Sequence, residues 1–244
     1  MSDAPAAGSP APPLPSRVVG IIFSPRATFE RLLPAPKVVG VLLLAGLAIG
    51  LARGLPQLTT SGRQAAIDAQ VQRMERFSGR SVTDEEYARM ERFAPFSAYA
   101  ALVGTPVFLT LGLLVLSVIY FVAFNVVLGG TATFKQVLAV AAHAAVISAL
   151  GAIIAAPVQY LQGTANAMGP FTLAAALPML DEGSFIARFL GFVEVFSIWS
   201  TIVTAIGFSV LYRRKTTNIA IGLFALVALF AAVVATVVGV FSSR

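Results

Sequence analysis

Between Arg92 and Asp181 lie 88 consecutive residues with a single formal charge, Lys135. A soluble interior interrupts its apolar segments with polar surface every few turns. A bilayer instead asks for ~20 apolar residues per helix and tolerates charge only near the ends. The chain therefore reads as an all-α polytopic membrane protein. Its 11% charged residues compare with roughly 25% in an average soluble domain.

Five segments meet the length requirement for a spanning helix, at about 38–56, 96–128, 137–161, 189–212 and 219–241. The run Phe171 to Leu180 is too short to cross and contains Pro178, so an interfacial or re-entrant segment is expected there. Residues 1–16, rich in Pro, Ala and Ser with no basic start and no apolar run, read as a disordered tail rather than a cleavable signal. Residues 17–244 then form the five-span membrane domain.

Positive residues in short loops resist translocation. With the N-terminus cytoplasmic, the inner side holds Arg17, Arg26, Arg31, Lys37, Lys135 and the cluster Arg213-Arg214-Lys215. The loop from Leu58 to Phe93 then lies outside; its six Arg are offset by six acids. This loop reads as an extramembrane helical hairpin. Ile67, Val71 and Met74 share a helical face, Thr83 with Glu86 makes a T-x-x-E capping box, and the pentad Arg-Met-Glu-Arg-Phe occurs at Arg73 and again at Arg89.

Before the first span, Ser24-Pro25 opens a short helix over 25–33, with Ser24 as N-cap and Pro25 at the first helical position. It is expected to be interfacial, with Arg26 and Arg31 toward lipid headgroups. A related string follows the second span: Gly129-Gly130 forms a tight turn and Thr133 with Gln136 a T-x-x-Q box opening the third span. In the chosen topology both Ala-Thr-Phe strings face the cytoplasm. Arg26, Phe29, Phe134 and Lys135 are the candidate surface for a protein partner there.

Ser-Pro-Arg-Ala-Thr-Phe-Glu at Ser24 to Glu30 and Gly-Gly-x-Ala-Thr-Phe-Lys-Gln-Val-Leu-Ala-Val-Ala-Ala-His at Gly129 to His143 are joined by Glu-Val-Phe-Ser-Ile-Trp at Glu194 to Trp199. In order and spacing, over roughly residues 17 to 241, the chain resembles the bacterial branch of the Yip domain family (Ypt/Rab-interacting proteins). The resemblance implies a five-span membrane protein with a cytoplasmic N-terminus, in a bacterial inner membrane. Eukaryotic members bind Rab-type GTPases in vesicle traffic; this chain departs from them in its short tail and extra outer hairpin.

Polar groups within the spans are functional candidates, because burying them in lipid is costly. They are Asn125, His143 and Glu194, with Gln159 beside them. At ~1.5 Å per residue, His143 lies ~10 Å from the inner end of its span and Glu194 ~8 Å from the outer end of its own. A His–Glu proton couple would need water between them. Asn125 is nearer to His143 in depth, which suggests a hydrogen bond across that helical pair. Gly46, Gly50 and Gly54 form a G-x-x-x-G-x-x-x-G stripe for close packing inside the chain, with a homodimer seam as the alternative. Pro106 and Pro157 interrupt the second and third spans.

Zero Cys and one His argue against a zinc site, and neither G-x-S-x-G nor H-E-x-x-H occurs. No catalytic, cofactor-binding or metal residue is assigned. The net charge of +6 is spread over several loops, which disfavours nucleic acid. The reading is a non-catalytic membrane adaptor or organising protein. The alternative is a small-solute or ion transporter using the kinked helices and Glu194, and an intramembrane enzyme comes third.

Overall fold

The computed structural model describes residues 11–78, 80–161, 170–177, 179–180 and 184–242. In chain order the described helices are α1 (Leu14–Phe23), α2 (Pro25–Leu32), α3 (Val39–Gly54), α4 (Thr60–Ser78), α5 (Asp84–Phe121), α6 (Phe134–Leu161), α7 (Phe185–Gly191), α8 (Val195–Tyr212) and α9 (Thr216–Ser242). Five helical segments are long and apolar enough to cross a membrane: Val39–Leu58, Asp84–Val127, Phe134–Leu161, Val195–Tyr212 and Thr216–Val240. The protein is a multi-pass, all-α membrane protein.

α6 is the hub. In its most apolar window 72% of residues are buried, against 11% for α5 and 17% for α9. The cause lies in its sequence: Ala139, Ala141, Ala142, Ala144, Ala145, Ala149 and Gly151 keep its surface shallow, so α3, α5 and α8 all approach it. The larger residues of α5 and α9 point outward instead. Phe108, Val103, Ile221 and Phe230 are each more than half exposed, as lipid-facing positions should be.

With five crossings, α1, α2, the turn before α6 and the turn before α9 share one face, here called the N-terminal face. The hairpin occupies the opposite one. There α4 packs on α5 and α9, Ile67 is buried, and Val71 and Met74 are half-buried. The Thr83–Glu86 capping box forms with both reciprocal bonds. Arg80 grips the two Glu86 oxygens at 2.9 and 2.7 Å, which braces the box from the preceding turn.

The described structure differs from the sequence expectations in three places. Residues Leu14–Ser16, assigned above to the tail, begin α1, an apolar helix that lies against α6; residues 1–10 lie outside the described residues. The second arm of the hairpin and the second span are one continuous helix, because after Thr83 nothing interrupts α5 until its end; Pro95 and Pro106 are accommodated within it. The fourth span does not run from 189. α7 stops at Gly191 and α8 starts at Val195, while the chain between them pairs with the 171–173 segment through Leu173 N–H to Val193 O at 2.8 Å and Val195 N–H to Phe171 O at 3.1 Å. The 171–180 stretch is thus a turn-rich strap in its described part, packed over the start of α8.

Candidate functional site

The N-terminal face concentrates the unusual chemistry. Arg17, from α1, is 5% exposed and lies against His143 of α6, which is fully buried. His143 Nδ1 is 2.8 Å from Ala139 O, a group that only accepts, so Nδ1 carries the proton. Nε2 is then a lone pair, and it accepts from the Arg17 guanidinium at 3.1 Å. The same Nη1 donates to Lys37 O at 3.0 Å. No described acid neutralises Arg17, and its Nε has no hydrogen-bond partner among the described residues. A buried cation held only by a neutral imidazole and a carbonyl is an expensive arrangement. Its structural effect is to pin α1 and the start of α3 onto α6.

The two Ala-Thr-Phe strings meet on this face. In α2, Phe29 and Leu32 are fully buried, and the Phe29 ring lies against Gly207 of α8, where an added Cβ would come within 3.0 Å of it. At the start of α6 the Thr133 hydroxyl and Gln136 amide cap one another. The Gln136 amide nitrogen also donates to Leu33 O at 3.1 Å, tying α2 to α6. Arg26 reaches across to α8 and α9, donating to Ser209 Oγ at 3.3 Å and Thr216 Oγ1 at 3.1 Å.

Two cavities flank this junction. One, of about 500 Å3, is lined by Arg26, Glu30, Gln136, Ser209 and Arg213 among others. The second, of about 430 Å3, lies between the Gly129–Ala132 turn and the α8–α9 turn. Gly129 takes φ +69°, which a side chain would strain, and Gly130 leaves no room for a Cβ beside the Tyr212 ring. Arg213, the C-cap of α8, is left-handed at φ 52°, the only non-glycine with positive φ among the described residues.

The candidate partner residues separate accordingly. Arg26 and Lys135 are exposed, Phe134 is half-buried against Phe121, and Phe29 is in the core. Phe29 is therefore removed from the candidate surface, because it lies with the buried Thr28 and Leu32 on the side of α2 that packs against α8. Arg26 does not reach toward headgroups as expected, since the Ser209 and Thr216 hydroxyls take it.

The intramembrane candidates also separate. Asn125 does not bond His143. The last turn of the second span is a π-helix, Val122–Val127, and its wider turn aims Asn125 at the Gly-Gly turn. There it donates to Ala132 O at 2.5 Å and accepts from Tyr212 Oη at 2.9 Å. Glu194 is not inside a helix: it is the N-cap of α8, extended at φ −106° and ψ 143°, and bridges to Thr172. Its neighbouring charge is Arg53 of α3 rather than His143. Gly46, Gly50 and Gly54 face α5, where an added Cβ would meet Pro106, the Ala101 carbonyl and the Ala98 carbonyl at 2.6, 3.1 and 3.0 Å.

Sequence reasoning missed the role of Arg17. The available signal was a lone arginine inside the apolar run Leu14–Phe23, in a chain with only one histidine.

A family profile described as the Yip1 domain matches residues 19–238. Among known proteins, the membrane protein YknW of Bacillus subtilis (strain 168) is 27% identical over 188 residues, 77% of this chain and 75% of that protein. No solved structure matches the chain.

Proposed function

Because the chain belongs to the Yip1 domain family, we propose that it is a non-catalytic membrane adaptor whose N-terminal face lies in the cytoplasm and docks a protein partner. One observation carries this reading. Arg26, Arg31, Lys37, Lys135, Arg213, Arg214 and Lys215 are all exposed on that face, beside a single described acid, Glu30. Such an excess in short loops favours the cytoplasmic side. It also suits an acidic partner segment, because complementary charge steers encounter and fixes register.

The transport alternative rests on the kinked helices and on Glu194 as a carboxylate within the bilayer. Glu194 stands outside the helix, at the start of α8 beside a strap and with Arg53 as its neighbouring charge, which does not favour a carboxylate working in mid-span.

A photo-crosslinking residue at position 31 tests the adaptor reading in intact cells. One discrete crosslinked polypeptide is expected, and Arg26→Gln with Lys135→Gln is expected to weaken it about ten-fold at equal protein level, the scale of losing charge-assisted contacts. Crosslinks to lipid alone, or a protein crosslink indifferent to both substitutions, would overturn it.

A further inference from the structure

The smaller cavity has features that a protein-docking face does not need. Two of its lining residues, Arg213 and Arg214, are cations, and none of its described lining residues is an acid. Arg214 lines the cavity and donates through Nη2 to Leu128 O at 3.2 Å, which leaves its other N–H groups available. Arg213 adopts its left-handed backbone at a cost of about 1 kcal/mol, and it forms part of the wall of both cavities. The left-handed residue closes α8 through backbone bonds to Ser209 O and leaves two consecutive guanidinium-bearing residues on the cavity wall.

What flanks the cavity identifies the kind of anion. Immediately before Gly129, the end of the second span presents Val126, Val127 and Leu128 at 70%, 74% and 48% exposure. The same span continues outward-facing through Val122, Ile119, Val118 and Val115. A paired basic site at the end of a lipid-facing apolar strip matches a molecule with an anionic head and a hydrocarbon tail. A free phosphate has no use for the strip.

We propose that this cavity binds the phosphate of an anionic phospholipid, with Arg213 and Arg214 on the phosphate and Val126, Val127 and Leu128 along the first part of an acyl chain. Guanidinium groups suit this role, since each offers a planar pair of N–H donors to phosphate oxygens. The site depends neither on a protein partner nor on which side of the membrane the face occupies.

The test is native mass spectrometry of the full chain released from nanodiscs containing equal phosphatidylglycerol and phosphatidylcholine. Wild type is expected to retain phosphatidylglycerol preferentially. Arg213→Gly with Arg214→Gln is expected to reduce that preference about ten-fold, while the charge-matched pair Arg89→Gln with Arg92→Gln, exposed on the opposite face, leaves it intact. Arg213→Gly suits a left-handed position, so it removes the guanidinium without penalising the fold. Should the double variant not fold, Arg213→Gly alone is expected to lower the preference several-fold. Equal retention of both lipids by wild type, or equal loss in the charge-matched pair, would overturn the proposal. So would inorganic phosphate raising the melting temperature in phosphatidylcholine as much as phosphatidylglycerol does, because that assigns the site to a soluble anion.

Discussion

His143→Leu is expected to destabilise the protein by roughly 2–4 kcal/mol, and the double variant Arg17→Met with His143→Leu by clearly less. The single change removes the acceptor at 3.1 Å from a guanidinium that is 5% exposed and already has one orphaned N–H group. Arg17 would keep only the Lys37 carbonyl among its observed partners. Hydrogen bonds between membrane helices average only about 0.6 kcal/mol by double-mutant cycle. The larger figure applies here because a charged group loses a partner it cannot replace from water. Replacing both residues by apolar side chains of similar length removes the stranded charge, which is why the double variant recovers. Unfolding titrations in mixed micelles measure all three variants. Additive losses would show that the two side chains act independently, and the account of α1 being pinned by this pair would fail.

Gly46→Leu is expected to cost about 2 kcal/mol or more, in the upper part of the ~1–3 kcal/mol usual for overpacking, because the obstacle is backbone. A Cβ at position 46 would lie 2.6 Å from Pro106 Cα, and a proline ring cannot move aside as a flexible side chain does. α3 and α5 would have to separate along the whole Gly46–Gly50–Gly54 stripe. Gly222→Leu is the matched control: nothing lies within 4 Å of its Cβ position, and helix propensity alone predicts a gain of up to ~1 kcal/mol. Thermal unfolding in detergent compares the two. Equal tolerance at positions 46 and 222 would mean that the glycine stripe is not a tight seam.

Much of this architecture is visible in the sequence because a bilayer imposes simple rules. Helix length, apolar continuity and the nearly charge-free stretch from Phe93 to Leu180 set the spans, and the T-x-x-E and T-x-x-Q boxes mark helix starts through local bonds alone. What is not visible depends on long-range pairing. Asn125 parts from His143 because a π-turn, which has no reliable sequence signature, rotates it toward Tyr212. Glu194 leaves the helix interior because a strap some twenty residues earlier pairs with its backbone. Phe29 falls on the apolar side of α2 by periodicity, but only the packing of α2 on α8 shows that this side is core rather than docking surface. Arg17 needs knowledge that α1 folds back onto α6.

The orientation of the basic face decides whether a cytoplasmic adaptor surface exists at all. The chain has no cysteine, so single cysteines can be introduced by Gln70→Cys in the hairpin and Lys215→Cys in the α8–α9 turn, both at exposed positions. Labelling right-side-out and inverted membrane vesicles with an impermeant maleimide is then a direct measurement. Position 70 reacting only from outside and position 215 only from inside is the predicted result. Labelling of both positions from the same side would contradict the five-span bundle, and the reverse pair would place the basic face outside the cell and remove the cytoplasmic adaptor reading.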